Sequence, residues 1–142
     1  NISGPRQLKD GGFVLPTFTQ QALKGDDITV FGDGEQIRAF TFVKDIVDGI
    51  YLTSVANNHM NEIWNIGNGD NVATIKHMAE KVKEFTNSSS EITFVDPKTI
   101  HGPLFEEAWD KIPNAEKIKN LLGWKPTLEV DEIIETVIDY WK

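Results

Sequence analysis

The chain has 142 residues, with 14 lysines and arginines against 22 aspartates and glutamates, for a formal charge of −8. That acidic balance argues against nonspecific nucleic-acid binding, which needs a basic face, and no apolar run approaches the roughly 20 residues that cross a bilayer. Without cysteine there is no disulfide framework, thiolate metal site or thiol nucleophile. With 39% apolar residues and no signal-peptide pattern, the expectation is one α/β domain of a cytoplasmic protein.

The first twelve residues read as loop. VLPTFTQQALKG then predicts a helix, with Pro16 in its first turn, Val14, Phe18 and Ala22 on one face and Gly25 as terminator. Ile28–Phe31 and Arg38–Val43 are rich in β-branched and aromatic residues. The Gly32-Asp33-Gly34 turn between them predicts two strands joined by a reversal. Ile46, Val47, Ile50, Tyr51 and Val55 recur at helical spacing, as an inward stripe should. EIWNIGNG predicts a short buried strand over Glu62–Ile66 and a Gly-rich turn. Thr74 is a plausible cap for a helix that buries Ile75, Met78, Ala79, Val82 and Phe85. Ile92–Val95 predicts another strand, and 96–113, with its three prolines, reads as irregular. Asn114 caps a short helix with Ile118, Leu121 and Leu122 inward. The last helix, over Val130–Trp141, buries Ile133, Ile134, Val137, Ile138 and Trp141. Alternating strands and helices imply an α/β architecture.

Few of these residues announce chemistry. FGDGEQIR lacks the third glycine of G-x-G-x-x-G and is followed by a strand rather than a helix, so the turn reading is preferred to a dinucleotide loop. The three histidines, His59, His77 and His101, form no metal-ligand spacing. There is no G-x-S-x-G elbow. Arg38 stands out. It is one of only two arginines and opens an otherwise apolar strand, so its guanidinium must meet either a carboxylate or an anionic ligand.

Four blocks together resemble the C-terminal part of the extended short-chain dehydrogenase/reductase family, the NAD-dependent sugar-nucleotide epimerases and dehydratases. NISGPRQ is similar to the family's N-x-x-G-P-R segment, and ITVFGDGEQIRAFTFVKDIVDGI to its strand, G-x-G-x-Q-x-R, strand and helix. EIWNIGNG resembles the Y-N-I-G turn and NLLGWKP the L-G-W-x-P signature. The resemblance implies that residues 1–142 are a single C-terminal substrate-binding domain of an extended Rossmann-type enzyme. The N-terminal NAD-binding Rossmann domain is absent, and the catalytic Tyr-x-x-x-Lys pair lies with it. Tyr51 is followed four residues later by Val55, and Tyr140 is two residues from the last, so neither is that tyrosine. The implied cofactor is NAD or NADP in a longer parent, with none bound by these residues. The implied ligand is a nucleotide sugar, a UDP-sugar first, and the family's frequent state is a homodimer.

By the same resemblance Asn1 reaches the substrate near its diphosphate and Arg38 binds the diphosphate. Thr29 and Phe31 line the nucleobase, Phe13 and Val14 begin the substrate-side helix, and Thr74 lies near ribose and phosphates. Phe13 stands where several dehydratases and UDP-glucuronate decarboxylases have Lys or Arg. That favours a UDP-glucose 4-epimerase-like activity. IHGPLFEEAWDKIPN instead looks like the decarboxylase-like branch, with His101, Phe105, Glu107 and Lys111 at its Tyr, Tyr, Asp and Arg positions; Lys111 then supplies the second positive charge. A noncatalytic module that binds nucleotide sugars or a protein partner is the rival from another class.

Overall fold

The computed structural model describes residues 1–8, 11–59, 61–106 and 108–142. Its strands are β1 (Ile2–Ser3), β2 (Ile28–Phe31), β3 (Ile37–Ala39), β4 (Thr41–Phe42), β5 (Val72–Thr74), β6 (Ile92–Val95) and β7 (Asp110–Lys111). The α-helices are α1 (Val14–Lys24), α2 (Val43–Val55), α3 (Ile75–Thr86), α4 (Lys98–His101), α5 (Glu116–Leu122) and α6 (Val130–Trp141). This is the expected mixed α/β architecture with short strands. Among the described residues no helix is long and apolar enough to cross a membrane.

Helical periodicity builds the main core. Helices α1, α3 and α6 pack on one another, α1 and α3 also on β2 and α6 on β4. Leu15, Phe18, Met78, Val82, Ile134 and Val137 meet Ile28 and Val30 there, all buried. Gly25 ends α1 in the left-handed region (φ 75°), returning its N–H to Ala22 O. Thr74 caps α3, its Oγ1 accepting from His77 N at 3.0 Å. A smaller core lies between α2 and α5, where Ile118 and Trp124 are covered by Leu52, Trp64, Ile66 and Leu122.

The expected hairpin does not form. β2 pairs in parallel with β6 (Ile28↔Ile92), and β3 lies between antiparallel β5 (Arg38↔Ala73) and parallel β7 (Arg38↔Lys111). The glycine turn carries the chain from one sheet to the other because it is tied to the start of α3. Lys76 N donates to Gly34 O and Ile75 N to Gln36 O, and Gln36 Nε2 donates to Phe31 O. Gly34 sits at φ 76°, and a Cβ there would lie 2.8 Å from Val30 Cγ1 and 2.9 Å from Lys76 Cβ. A third pair, β1 with β4, runs parallel (Ile2↔Thr41).

Three further expectations are corrected. The strand expected over 62–66 is extended chain that joins no ladder among the described residues; β5 forms ten residues later instead. In α2, Ile46 points inward but Val47, Ile50, Tyr51 and Val55 face out. The helix is held through Asp45 and Gly49, whose burial outweighs the apolar stripe. In α5, Ile118 is buried while Leu121 is exposed. The irregular stretch 96–113 holds one helical turn, α4, and the two residues of β7.

Candidate functional site

Arg38 sits in the central strand of the three-stranded sheet and is only 7% exposed. Its Nη1 donates to Trp109 O at 2.7 Å and to Ile37 O at 2.8 Å. One nitrogen of the fork therefore holds the β7 segment against β3. The ladder sets Lys111 beside Arg38 on the neighbouring strand, so two cations share one register position.

Asn1 is where the cavities meet. It lines a narrow cavity of about 90 Å³ together with Arg38, Phe13, Val14, Gln7 and Phe40. It also lines an apolar-walled one of about 430 Å³ with Ile2, Pro5, Arg6, Phe13 and Val43. A third, of about 360 Å³, joins it to Lys111, Thr41 and Gly67. β1 fixes Asn1 in place: its backbone nitrogen donates to Ala39 O, and its carbonyl accepts from Thr41 N. Gln7 Oε1 is buried in this region with no partner among the described residues.

The structure thus brings together four residues singled out from the sequence, Asn1, Phe13, Val14 and Arg38, with Lys111 on the adjoining cavity. It does not bring the rest to the same wall. Thr29 is engaged by Gln21, whose Nε2 donates to Thr29 Oγ1 and whose Oε1 accepts from Thr29 N, both at 3.2 Å. Phe31 is half-buried and precedes Gly32, which lines a fourth, open cavity of about 560 Å³ with Phe94, Val95 and Asp96 at the carboxyl ends of β2 and β6. The Thr74 hydroxyl caps α3. His101 closes α4, and its side chain and Glu107 lie outside the described residues.

Sequence reading missed the polar clamps that hold this wall. Asp45, in the first turn of α2, is 1% exposed. It accepts from Thr127 N at 3.0 Å and from Thr127 Oγ1 at 2.6 Å, while its carbonyl accepts from Trp124 Nε1 at 2.7 Å. The GWKPT segment is therefore a strap across α2. Asn71 is buried and its Nδ2 reaches both Phe40 O and Leu128 O. An aspartate at a helix start and an asparagine after a Gly-rich turn were the only local signals. Their partners lie 31 to 82 positions away.

The pattern of the GDP-mannose 4,6 dehydratase family matches residues 1–137. The chain belongs to the sugar-nucleotide epimerase/dehydratase family of extended short-chain dehydrogenases/reductases. It is 34% identical to UDP-N-acetyl-alpha-D-glucosaminuronate decarboxylase of Bacillus cytotoxicus, across all of this chain and 44% of that protein. Two solved structures superpose on 99% of it. UDP-glucose 4-epimerase of Thermotoga maritima with UDP-glucose does so at TM-score 0.84 and 29% identity, over 43% of its own chain. UDP-glucuronic acid 4-epimerase of Bacillus cereus with UDP-glucuronic acid and NAD does so at 0.85 and 26%, over 42%. The chain spans about two fifths of the length of these family members.

The glycine turns at Gly34 and Gly69 do not have the form of a dinucleotide cradle. A pyrophosphate cradle needs a glycine turn opening onto a helix N-terminus. Gly34 leads into β3 and is closed over by Lys76, and Gly69 leads to β5 with Pro113 O only 2.4 Å from where a Cβ would sit.

Proposed function

We propose that the chain is the nucleotide-sugar-binding part of an NAD- or NADP-dependent epimerase/dehydratase, with the dinucleotide and the catalytic Tyr-x-x-x-Lys pair carried by an N-terminal Rossmann domain. The carrying observation is the pair Arg38 and Lys111, in register on β3 and β7, with Arg38 on the narrow cavity that Asn1 and Gln7 line and Lys111 on the adjoining cavity that Asn1 also lines. A guanidinium fork and a neighbouring ammonium suit the two phosphoryl groups of a UDP-sugar. Val14 closes the cavity from the start of α1. The cavity beyond β2 and β6 suits the base. Open α/β sheets take ligands at strand carboxyl ends, Phe94 offers an exposed ring there, and Phe31, paired with Val95, immediately precedes the cavity's Gly32; Thr29 lies two residues further back on β2. Thr74 stays the proposed position toward ribose and phosphates, and His101 the one at the decarboxylase-like branch's Tyr position. By itself the chain binds no dinucleotide and turns over nothing.

The sugar wall decides the reaction class. Phe13, Ile2, Pro5 and Val43 make an apolar surface that suits a neutral hexose, so the first reading is a UDP-glucose 4-epimerase-like enzyme. Arg6 lines the same cavity and gives a uronate carboxylate one cation. That observation, with the identity to a glucosaminuronate decarboxylase, favours a decarboxylase-like enzyme as the second reading.

Calorimetric titration of the full gene product with UDP-glucose and UDP-glucuronate separates them. The first reading expects tighter UDP-glucose binding in the wild type and a gain in UDP-glucuronate affinity of about 10-fold in Phe13→Arg, one added charged hydrogen bond. Tighter UDP-glucuronate binding that Arg6→Ala abolishes establishes the second. No binding of either sugar nucleotide overturns both.

A further inference from the structure

Trp109 is out of place for its residue type. Tryptophan side chains are highly buried on average, and the other three of this chain follow that rule. Trp124 is buried, and Trp64 and Trp141 pack against the two cores. Trp109 is 63% exposed. Its backbone is nonetheless held firmly. The carbonyl accepts from Ile37 N at 3.0 Å and from Arg38 Nη1 at 2.7 Å. The fold thus fixes the main chain of a large aromatic residue and leaves most of the side chain to solvent. A ring kept outside both cores contributes little to their packing, and its flat apolar face is available to a ligand.

Strand register places this ring along the candidate site. β7 runs parallel to β3, with Asp110 opposite Ile37 and Lys111 opposite Arg38. One residue back from β7, Trp109 comes level with Gln36, just before β3 begins. Gln36 Nε2 donates to Phe31 O. The next residue, Gly32, is on the lip of the cavity at the carboxyl ends of β2 and β6. In the other direction along the strands lie the two cations and the cavities that Asn1 lines. Trp109 therefore stands between the phosphate end of the site and its base end.

We propose that Trp109 is a further binding residue of this site, its indole stacking on the nucleobase of the bound sugar nucleotide. The proposal rests on reading the chain as the nucleotide-sugar-binding part of its enzyme. With the two phosphoryl groups on Arg38 and Lys111, the nucleoside has to pass Trp109 to reach the cavity beyond β2 and β6. Stacking gains from any flat base and makes no demand on its hydrogen-bonding groups. The ring thus holds the base in place, and the polar atoms of the cavity are left to identify it. The same carbonyl that anchors Trp109 ties it to Arg38, so the aromatic face and the guanidinium are set at a fixed spacing before the ligand arrives.

The test titrates the full gene product with UDP and with inorganic pyrophosphate, which carries the phosphates without the base. Trp109→Ala is expected to weaken UDP about 10-fold or more and to change pyrophosphate less than about 2-fold. Trp109→Phe keeps a ring and loses less than Trp109→Ala. The anchoring hydrogen bonds use the backbone carbonyl and the side chain is exposed, so both variants keep the wild-type melting temperature. Protein labelled with 5-fluorotryptophan gives a second readout. The resonance missing from Trp109→Phe belongs to Trp109, and it is expected to shift with UDP and to stay in place with pyrophosphate. UDP binding that Trp109→Ala leaves unchanged overturns this inference and leaves the proposed function standing. Equal losses for UDP and pyrophosphate overturn it as well, since the ring would then act through the phosphate pair. A wild type that binds neither UDP nor a UDP-sugar overturns the proposed function and this inference with it.

Discussion

Asp45→Ala tests the strap that fixes α2 and, through it, the Asn1 wall. The carboxylate is buried and accepts two hydrogen bonds from Thr127, at 3.0 and 2.6 Å. Hydrogen bonds to a charged acceptor contribute about 1.5–3 kcal/mol each. Thr127 is itself exposed, so water replaces part of what it loses and the lower end of that range applies. The carboxylate also faces the positive end of α2 from its first turn, worth about 0.3–1 kcal/mol. The expected loss is about 3 kcal/mol. Unfolding entropy of about 2.1 cal/mol/K per residue gives roughly 0.3 kcal/mol/K for a chain of this length, so the melting temperature falls by about 10 °C. Urea unfolding followed by tryptophan fluorescence and far-UV circular dichroism measures it. Thr127→Val removes only the hydroxyl half and loses about 1–1.5 kcal/mol. The double variant loses less than the sum of the two, since both act on one interaction. A loss below about 1 kcal/mol for Asp45→Ala, or strict additivity, refutes the strap.

Gly69→Ala forces a methyl to within 2.4 Å of Pro113 O; the backbone must shift, and a loss of about 1–3 kcal/mol is expected in the same urea assay. Thr74→Ala removes the cap that accepts from His77 N and lowers stability by about 1 kcal/mol; an unchanged midpoint would show the cap to be idle. Glu62 is held below the usual glutamate range by its hydrogen bond and charge contact with Lys117. A lowered folded value means its contribution is present above the unfolded value, about 4.3, and is lost as pH falls through the folded one. Glu62→Gln is therefore expected to melt slightly lower than wild type at pH 7 and to converge with it in acid; a gap that widens in acid contradicts the assignment.

The fold was legible where one element satisfies its own periodicity. α1, α3 and α6 each turn inward the apolar residues their 3.6-residue spacing indicates, with Val14, Phe85 and Trp141 at the end of each face only partly buried, and the caps at Gly25 and Thr74 lie where residue type places them. It was illegible where pairing is decided at a distance. Nothing in ITVFGDGEQIRAFTF says that β2 takes β6 as partner rather than β3, because that choice depends on Gly34 and Gln36 meeting the start of α3. β5 is three residues without alternation, too short to declare itself. The stripe on α2 was read correctly as apolar and wrongly as inward, since periodicity names a face but not what covers it. At the site, Arg38 was legible as a buried cation needing partners. Its backbone acceptor Trp109 O, 71 positions away, was not.

The measurement that bears most directly on the account is titration of the full gene product with UDP, wild type against Arg38→Lys. Lysine keeps the charge but loses the fork, and circular dichroism at the same temperature confirms that the variant is folded. The account predicts saturable binding weakened about 10-fold or more, with a further loss in Arg38→Lys combined with Lys111→Ala. Equal affinity in wild type and variant, or no UDP binding by the wild type, would contradict the placement of the diphosphate at Arg38 and Lys111.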